Sequence, residues 1–209
     1  MELMKSYRLL DREGEKMKKF ELTAEYVTNI FGKKLFRIKA LVEFGIVKEG
    51  ELGGFVEKES NIDDDGNAWV SGNAQVFGNA KISGNAQVYG NAKVFGNAWV
   101  YGNAWISGNA QVYGNACVAE NLDYAIVGGF GSEQQTITFF CQKDGSVGAK
   151  CGFFYGTLEE FREKVLETHG ESKYAREYLM IADLMELHFA GGCDGNDKDN
   201  HSCLQKMQI

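Results

Sequence analysis

The residues best suited to hold a metal ion lie at two places in the sequence. Cys193, His201 and Cys203 offer the thiolate and imidazole ligands that zinc prefers, but they lack a Cys-x-x-Cys pair. We favour the alternative, incidental cysteines in a polar tail. Asp63–Asp65 offers three adjacent carboxylates, but no later acidic ligand follows at the spacing of a helix-loop-helix calcium site. We therefore expect a solvated loop at these aspartates and no metal at either place.

Nucleophilic or acid–base catalysis would need a histidine or a cysteine in a suitable setting. The chain has three histidines, His169, His188 and His201, and it has no Gly-x-Ser-x-Gly elbow and no P-loop. Cys151 and His169 form the one pair in the C-terminal part that could act as nucleophile and base. Nothing in the sequence shows that these two side chains approach each other. The sequence therefore predicts that the protein is not an enzyme and needs no cofactor.

Composition and charge narrow the class of protein. The chain has 209 residues, of which 44% are hydrophobic, and its net charge of -7 disfavours non-specific binding to nucleic acid. No apolar segment is long enough to predict a membrane span, and the charged N-terminus does not resemble a secretory signal. The cysteines show no disulfide framework, so we expect reduced thiols in a cytoplasmic protein. These cysteines are Cys117, Cys141, Cys151, Cys193 and Cys203.

A six-residue repeat runs through the middle of the chain. Nine Gly-Asn-Ala triplets follow at a constant spacing of six, and each is followed, one residue later, by Val or Ile. A helix does not fit, because six is not a multiple of 3.6 and a glycine in every unit would cost about 1 kcal/mol each time. Gly and Asn tolerate positive φ, so they predict a corner between short strands. A fixed period with one apolar residue per unit predicts a solenoid.

This [Val/Ile]-x-Gly-Asn-Ala-x unit resembles the hexapeptide repeat of left-handed parallel β-helix proteins, in which three hexads make one triangular coil. The resemblance implies such a helix over residues 56–118, with about three coils for the nine hexads, and it alone implies the left-handed winding. Acyltransferases and γ-class carbonic anhydrases of this family depend on histidines. No histidine lies in the repeats. The resemblance therefore makes a hexapeptide-repeat acyltransferase a disfavoured alternative.

Three hexads per coil place residues eighteen apart on one face, which lets us assign the outward side chains. The stacked aromatic residues make a larger patch than monomers usually expose. They could form a ladder that steadies the coils, a surface covered by the terminal segments, or a subunit seam, and we favour the seam of a homotrimer. The predicted seam consists of Phe77, Phe95, Tyr113 and Trp69. The assignment puts Tyr89 on a polar face, Trp99 with Phe77, Phe95 and Tyr113, and Tyr101 with Trp69 and Trp105.

The segment before the repeats predicts a β cap, which would cover the open strand edges of the solenoid. Residues 18–23 and 34–41 alternate apolar and polar side chains like strands. We assign the cap to residues 17–55 and treat residues 1–16 as an N-terminal extension.

The segment after the repeats, residues 119–189, predicts a small α+β domain. Strands are expected at 125–127, 136–141 and 147–155, with a hairpin turn at Lys143–Ser146. Thr157 and Glu160 form a capping box for a helix to about Thr168, and Ser172 caps a second helix to about Phe189. Residues 190–209 are polar and predict a disordered tail. The fold class is thus mainly β, a β-helix with a β cap and an α+β domain.

Three stretches around the first repeats carry a second resemblance, to uncharacterised β-helix proteins of bacteriophages and prophages and, more distantly, to YdcK-like bacterial proteins. The resemblance covers about residues 17–118, and relatives begin near Met17. The stretch from Phe139 to Phe161 resembles a domain that recurs behind such repeats. This family implies no catalytic residues. The three stretches are Phe36–Leu41, Val47–Glu57 and Gly66–Val70.

The phage setting implies a non-enzymatic accessory protein that antagonises host antiviral defence by binding in the host cytoplasm. The leading hypothesis is sequestration of a nucleotide-derived immune signal by an oligomer. The alternatives are an inhibitor that binds a defence protein directly and a structural spacer or scaffold. For a nucleotide site we expect Trp99, Tyr101 and Trp105 to stack on the base. The residues expected to neutralise phosphate are Lys81, Lys93, Lys150 and Arg162.

Overall fold

The N-terminal part forms a three-stranded antiparallel sheet that continues into the solenoid. The computed structural model describes residues 18–191 and residue 193. Strand β1 (Phe20–Thr28) pairs antiparallel with β2 (Lys34–Ala40), which pairs antiparallel with β3 (Leu52–Val56). Strand β3 then pairs in parallel with the repeat strand Gln75–Val76. The predicted cap strands are confirmed, and β3 belongs to the cap and to the solenoid at once.

Nine two-residue strands and β3 make a parallel β-solenoid of about four turns. The repeat strands are β4 (Trp69–Val70), β5 (Gln75–Val76), β6 (Lys81–Ile82), β7 (Gln87–Val88), β8 (Lys93–Val94), β9 (Trp99–Val100), β10 (Trp105–Ile106), β11 (Gln111–Val112) and β12 (Cys117–Val118). The nine triplets predicted about three coils. The solenoid has one more because β3 and Ile62, which precede the triplets, belong to an earlier coil, and Ile62 bridges to Ile82. The three sheets have the orders β3-β5-β8-β11, β4-β7-β10 and β6-β9-β12, so each of β4 to β9 pairs with the third strand after it.

The repeat residues take the roles that their types dictate. Every repeat Val or Ile and every triplet Ala is buried in one continuous core. Each triplet glycine has a positive φ, as at Gly66 and Gly84, where it turns the chain at the corner. The triplet asparagines stack in ladders; Asn67 Nδ2 donates to Asn85 Oδ1 at 3.0 Å, and Asn85 Nδ2 donates to Asn103 Oδ1 at 3.1 Å. An amide suits this stacking because it donates and accepts at once.

The sequence-based assignment of outward side chains to faces was wrong by one corner. Trp99 and Tyr101, expected on different faces, have ring centroids 4.6 Å apart. Tyr89 contacts Trp105 at 6.4 Å, although it was expected on the polar face. The reason is the position of the turn. The Ala104 N–H donates to the Tyr101 carbonyl, so the corner begins after Tyr101, the outward residue that follows the buried Val100. That residue therefore ends its own strand and does not begin the next.

The N-terminal sheet covers the aromatic side chains that the sequence assigned to a subunit seam. Phe77 and Phe95 stack at 4.8 Å, and the Phe31 ring lies 6.1 Å from the first and 6.4 Å from the second. Both phenylalanines are buried with Leu35 and Phe55, and Tyr113 packs against the same cluster. The exposed seam predicted there is therefore wrong for Phe77 and Phe95, because a segment of the same chain supplies the cover.

Trp69, the fourth predicted seam residue, lies inside the molecule. It is only 2% exposed, and its indole meets the rings of Phe20 at 6.3 Å and Phe44 at 5.4 Å. It thus fills the junction between the cap and the first coils, because the cap residues turn their rings onto it. The homotrimer itself stays a prediction.

The C-terminal domain is an antiparallel sheet packed against two helices. Its strands are β13 (Tyr124–Val127), β14 (Ile137–Cys141), β15 (Val147–Cys151) and β16 (Phe154–Thr157), in that order. The long strand predicted over 147–155 is broken by a turn at Gly152 and Phe153. Helices α1 (Leu158–His169) and α2 (Lys173–Phe189) begin at the predicted caps. The Thr157 hydroxyl accepts from the Glu160 N–H, and the Glu160 carboxylate accepts from the Thr157 N–H.

This domain closes the second end of the solenoid. The Gln111 N–H donates to the Thr138 hydroxyl at 2.9 Å, and the Lys143 N–H donates to the Asn115 carbonyl at 3.0 Å. Ala116 bridges to Gln142, and Phe140 is fully buried in the solenoid core. The last coil therefore pairs with the C-terminal domain as the first coil pairs with the cap.

A disulfide between Cys141 on β14 and Cys193 joins residues 52 positions apart. The expectation of reduced thiols is therefore wrong for this pair, because the chain after α2 returns to the sheet. It is also wrong for Cys117, which is disulfide-bonded as well. Cys151 is a free thiol. Residues 1–17, 192 and 194–209, with the predicted extension, most of the predicted tail, His201 and Cys203, lie outside the described residues. None of the helices described is both long and apolar enough to cross a membrane.

Candidate functional site

Three of the seven predicted ligand residues meet on one face of the solenoid. Lys81 on β6 and Trp99 on β9 are partners in the parallel register, and Tyr101 packs on Trp99 with an angle of 31° between the rings. The Trp99 Nε1–H donates to the Ser83 hydroxyl at 3.0 Å, which fixes the orientation of the indole. The face thus presents a half-buried indole next to an exposed ammonium group.

A fourth residue on this face, Lys143, was missed by the sequence analysis. It lies in the hairpin turn between β14 and β15, and its Nζ donates to the Asn97 carbonyl at 2.9 Å. Burial lowers the pKa of the Lys143 ammonium, and the positive charge of Lys81 lowers it further. No local sequence signal marks Lys143, because only the docking of the C-terminal domain brings it to the solenoid. We call Lys81, Ser83, Trp99, Tyr101 and Lys143 the Trp99 surface.

The Trp99 surface combines a ring system with two ammonium groups that repel each other. An anion held between Lys81 and Lys143 would relieve that repulsion. A flat aromatic group could lie on the Trp99 indole, which is already backed by Tyr101. The arrangement is suited to a ligand that carries both a phosphate and a base.

Trp105 and Lys93 lie on the other two faces of the solenoid. Trp105 on β10 is 50% exposed and, with Tyr89, lines an open groove of about 390 Å³ against the start of the C-terminal domain. The Tyr124 hydroxyl donates to the Trp105 carbonyl at 2.7 Å across this groove. Lys93 on β8 stands between Gln75 and Gln111 in the third sheet. Neither residue joins the Trp99 surface.

Lys150 and Arg162 lie in the C-terminal domain, where their charges have other partners. Lys150 on β15 is 8% exposed, and its ammonium donates to the Gly152 carbonyl. Burial lowers the pKa of this ammonium. Arg162 on α1 forms ion pairs with Asp183 at 2.9 Å and Glu186 at 2.5 Å on α2. Both cations therefore act within the domain and are not brought to Trp99.

Cys151 and His169 do line the same cleft, which the sequence alone did not show. The cleft has a volume of about 190 Å³ and lies between α1, α2 and the ends of β15 and β16. Burial raises the pKa of the Cys151 thiol, and the Glu133 carboxylate raises it further, against the opposing effect of Lys150. A thiol held in its neutral form is a weak nucleophile, so shared lining alone does not assign the pair a catalytic role. Among the described residues no group of three His, Cys, Asp or Glu side chains is placed to hold a metal ion.

Comparison with known families identifies the repeat. Residues 74–90 and 86–102 match the family model described as the YdcK β-solenoid repeat. These coils are similar to YdcK-type repeats. The predicted YdcK-like resemblance is thus confirmed for this part of the solenoid, whereas the phage setting stays a prediction. No curated protein matches the chain.

Proposed function

We propose that this protein is a non-enzymatic binding protein that sequesters a nucleotide-derived signal at the Trp99 surface. The observation that carries the proposal is the convergence of Lys81 and Lys143 beside the packed rings of Trp99 and Tyr101. The base of the ligand stacks on the indole, and its phosphate lies between the two ammonium groups. Following the phage-type resemblance, the biological role proposed is antagonism of host antiviral defence.

The architecture favours ligand binding over a filament-forming scaffold. Coil ends that stay open expose unpaired strand edges and can associate end to end. Here Phe20 and Lys19 cover the first coils, and β14 covers the last coil through Thr138 and Phe140. With both ends occupied by the chain itself, the solenoid is a rigid platform of fixed length.

The direct test is native mass spectrometry of the purified protein with a panel of cyclic and ADP-ribose-derived nucleotides. A stoichiometric gain of one nucleotide mass per site would support sequestration, and the mass of the protein alone would show whether it is a trimer. Lys81→Gln and Lys143→Gln should each weaken binding by roughly tenfold, since each removes a charge-assisted hydrogen bond.

A matched control is Lys93→Gln, which removes the same charge from a neighbouring face. It should leave nucleotide affinity unchanged. Equal losses in Lys93→Gln, Lys81→Gln and Lys143→Gln would mean that only the net charge matters and would contradict a site at Trp99. Absence of any nucleotide adduct across the panel would contradict sequestration.

A second candidate, direct binding of a defence protein, is favoured by the groove at Trp105. Trp105 and Tyr89 expose 50% and 39% of their surface there, and exposed Trp and Tyr side chains often dominate protein interfaces. Pull-down from a defence-bearing host, followed by binding of the purified captured protein, tests this candidate. Trp105→Ala should reduce that affinity by at least tenfold, whereas Lys81→Gln should not change it.

A further inference from the structure

The disulfide bond of Cys117 has no part in the function proposed so far. Cys117 begins β12, is 7% exposed and is disulfide-bonded. Among the other cysteines, Cys141 is joined to Cys193, and Cys151 carries a free thiol. The chain has five cysteines, so within one chain Cys203 is the partner that remains for Cys117.

With this pairing, the segment 194–202 would have its two ends close together. Ala116, the residue before Cys117, forms an antiparallel bridge with Gln142, the residue after Cys141. The Cα atoms of residues paired in this way lie about 5 Å apart, and the two Cα atoms of the Cys141 disulfide lie 5.2 Å apart. A segment of this length can span roughly 30 Å. It is therefore much longer than the gap and has to loop over the surface beside its ends.

The surface beside both ends is the Trp99 surface. Cys117 on β12 is the register partner of Trp99 on β9. Cys193 lies at the turn between β14 and β15, where a Cβ added at Gly145 would stand 3.6 Å from the Cys193 carbonyl oxygen. The same turn carries Lys143. A segment that joins these two points therefore lies next to the indole and the ammonium groups of this surface.

The charge of the segment complements that of the Trp99 surface. Lys81 and Lys143 place two mutually repelling ammonium groups on the surface. A carboxylate between two ammonium groups gains charge-assisted hydrogen bonds, as a phosphate would. The segment and a phosphate would therefore compete for the same two lysines. The segment has one lysine and three aspartates, which are Asp194, Asp197 and Asp199.

We propose that a Cys117–Cys203 disulfide holds the segment 194–202 across the Trp99 surface as an acidic strap, and that reduction of this bond opens the surface. The proposal rests on the nucleotide site proposed above and adds its regulation. A dithiol reductant supplies two electrons and two protons. The sulfur–sulfur bond breaks, each cysteine gains one hydrogen, and the dithiol becomes a disulfide. Disulfides of this kind are typical of redox sensors in reducing compartments.

The first test maps the disulfides of the full chain by mass spectrometry without reduction. Proteolysis before aspartates places the five cysteines on different peptides, because an aspartate lies between every two consecutive cysteines. We expect the peptide of Cys117 to be joined to that of Cys203. The bond between Cys141 and Cys193 is the internal control. A Cys117 peptide that is joined elsewhere, or to nothing, overturns the proposal.

The second test measures how fast the lysines of the surface react with an amine-acetylating reagent, and it needs no nucleotide. Cys203→Ser should raise the acetylation rates of Lys81 and Lys143 by about 3- to 10-fold, because each loses an ion pair with the strap. Lys93 lies on another face and should react at the same rate in both proteins. Cys151→Ser is the matched control, since it removes a thiol that is already free. Equal rates for Lys81 in the unmodified chain and in Cys203→Ser overturn the strap.

Nucleotide binding by the same proteins separates this proposal from the proposed function. Cys203→Ser, or dithiothreitol added to the unmodified chain, should strengthen nucleotide binding by about tenfold, because a tethered competitor acts at an effective concentration of roughly millimolar. If acetylation rises but neither protein binds any nucleotide of the panel, the strap is supported and the nucleotide site is refuted. If both proteins bind nucleotide with equal affinity, the nucleotide site is supported and its regulation by the strap is refuted.

Discussion

The ammonium group of Lys19 donates a hydrogen bond to the carbonyl oxygen of Ala68, at 3.0 Å, inside the mouth of the solenoid. The same Nζ donates to the Asp63 carbonyl at 2.7 Å and lies 4.9 Å from the centre of the Phe44 ring. Lys19 is fully buried. Carbonyl groups at this corner face the cap and not a preceding coil, so the lysine supplies the donors that a coil would otherwise provide.

Replacing this lysine should destabilise the protein strongly. Lys19→Met keeps the length of the side chain but leaves buried carbonyl groups without their donor, and we expect a loss of about 3 kcal/mol in the free energy of unfolding. Lys18→Met is the control, because Lys18 is half exposed and pairs with Glu59 at the surface. It should cost less than about 1 kcal/mol. Urea denaturation followed by circular dichroism measures both, and equal effects would contradict the role assigned to Lys19.

Two glycines with the same backbone conformation should differ in their tolerance of alanine. Gly66 and Gly32 both have φ of +75°, so alanine is strained by about 1 kcal/mol at either position. At Gly66 the added Cβ would lie 2.5 Å from the Gly84 carbonyl oxygen, whereas at Gly32 it would meet nothing within 4 Å. Gly66→Ala should therefore lose a further 1–3 kcal/mol, roughly the cost of overpacking. Thermal denaturation of the two variants gives the difference, and equal melting temperatures would contradict close stacking of the coils.

The covered aromatic column predicts a large stability effect at its centre. Phe95 stacks between Phe77 at 4.8 Å and Tyr113 at 4.4 Å and is almost fully buried. Phe95→Ala should lower the free energy of unfolding by about 3–5 kcal/mol. The same substitution at Phe153, which is fully exposed in the β15–β16 turn, should change it by no more than about 0.5 kcal/mol. A small effect at Phe95 would mean that the β1–β2 hairpin does not cover the aromatic column in solution.

The carboxylate of Glu57 should make part of the stability pH-dependent. Burial raises its pKa, but hydrogen bonds from the Lys33 ammonium and the Gly78 N–H outweigh this and hold the pKa below its usual value of 4.5. Because the folded-state pKa is the lower one, the carboxylate stabilises the fold above about pH 4.5. That contribution is lost as the pH falls through the folded-state pKa. Glu57→Gln should flatten the dependence of the unfolding free energy on pH in this acidic range, and an unchanged profile would contradict the coupling.

Features that depend on neighbouring residues were predicted well from the sequence. The Gly-Asn-Ala spacing predicted the solenoid, and Thr157 with Glu160 predicted the start of α1, because corners and helix caps are set within a few residues. The assignment of Tyr101 to a face failed, although it is also local. The repeat period does not say whether the corner lies before or after that residue.

Features that depend on distant parts of the chain were not predictable. Lys143 reaches the solenoid through pairing of the Gln142 region with the last coil, and Cys193 meets Cys141 only after two helices return the chain to the sheet. The contact of Phe31 with Phe77 likewise depends on how the β1–β2 hairpin folds back onto the solenoid. In each case the sequence shows the residue type but not its partner, since the contact is fixed by packing between domains.

The uniform coils also mean that the length of the solenoid is set by the number of coils. The backbone N–H of Asn79 donates to the Gly96 carbonyl at 2.9 Å, and the backbone N–H of Asn97 donates to the Gly114 carbonyl at 2.9 Å, so successive coils are joined in the same way. Each coil adds 18 residues along the chain, as the register of Gln75 with Lys93 shows, and about 4.8 Å along the axis. The distance between the N-terminal cap and the C-terminal domain can therefore change only in whole steps. Gain or loss of one coil would change the distance between the N-terminal cap and the C-terminal domain and leave the side chains within each of them unchanged.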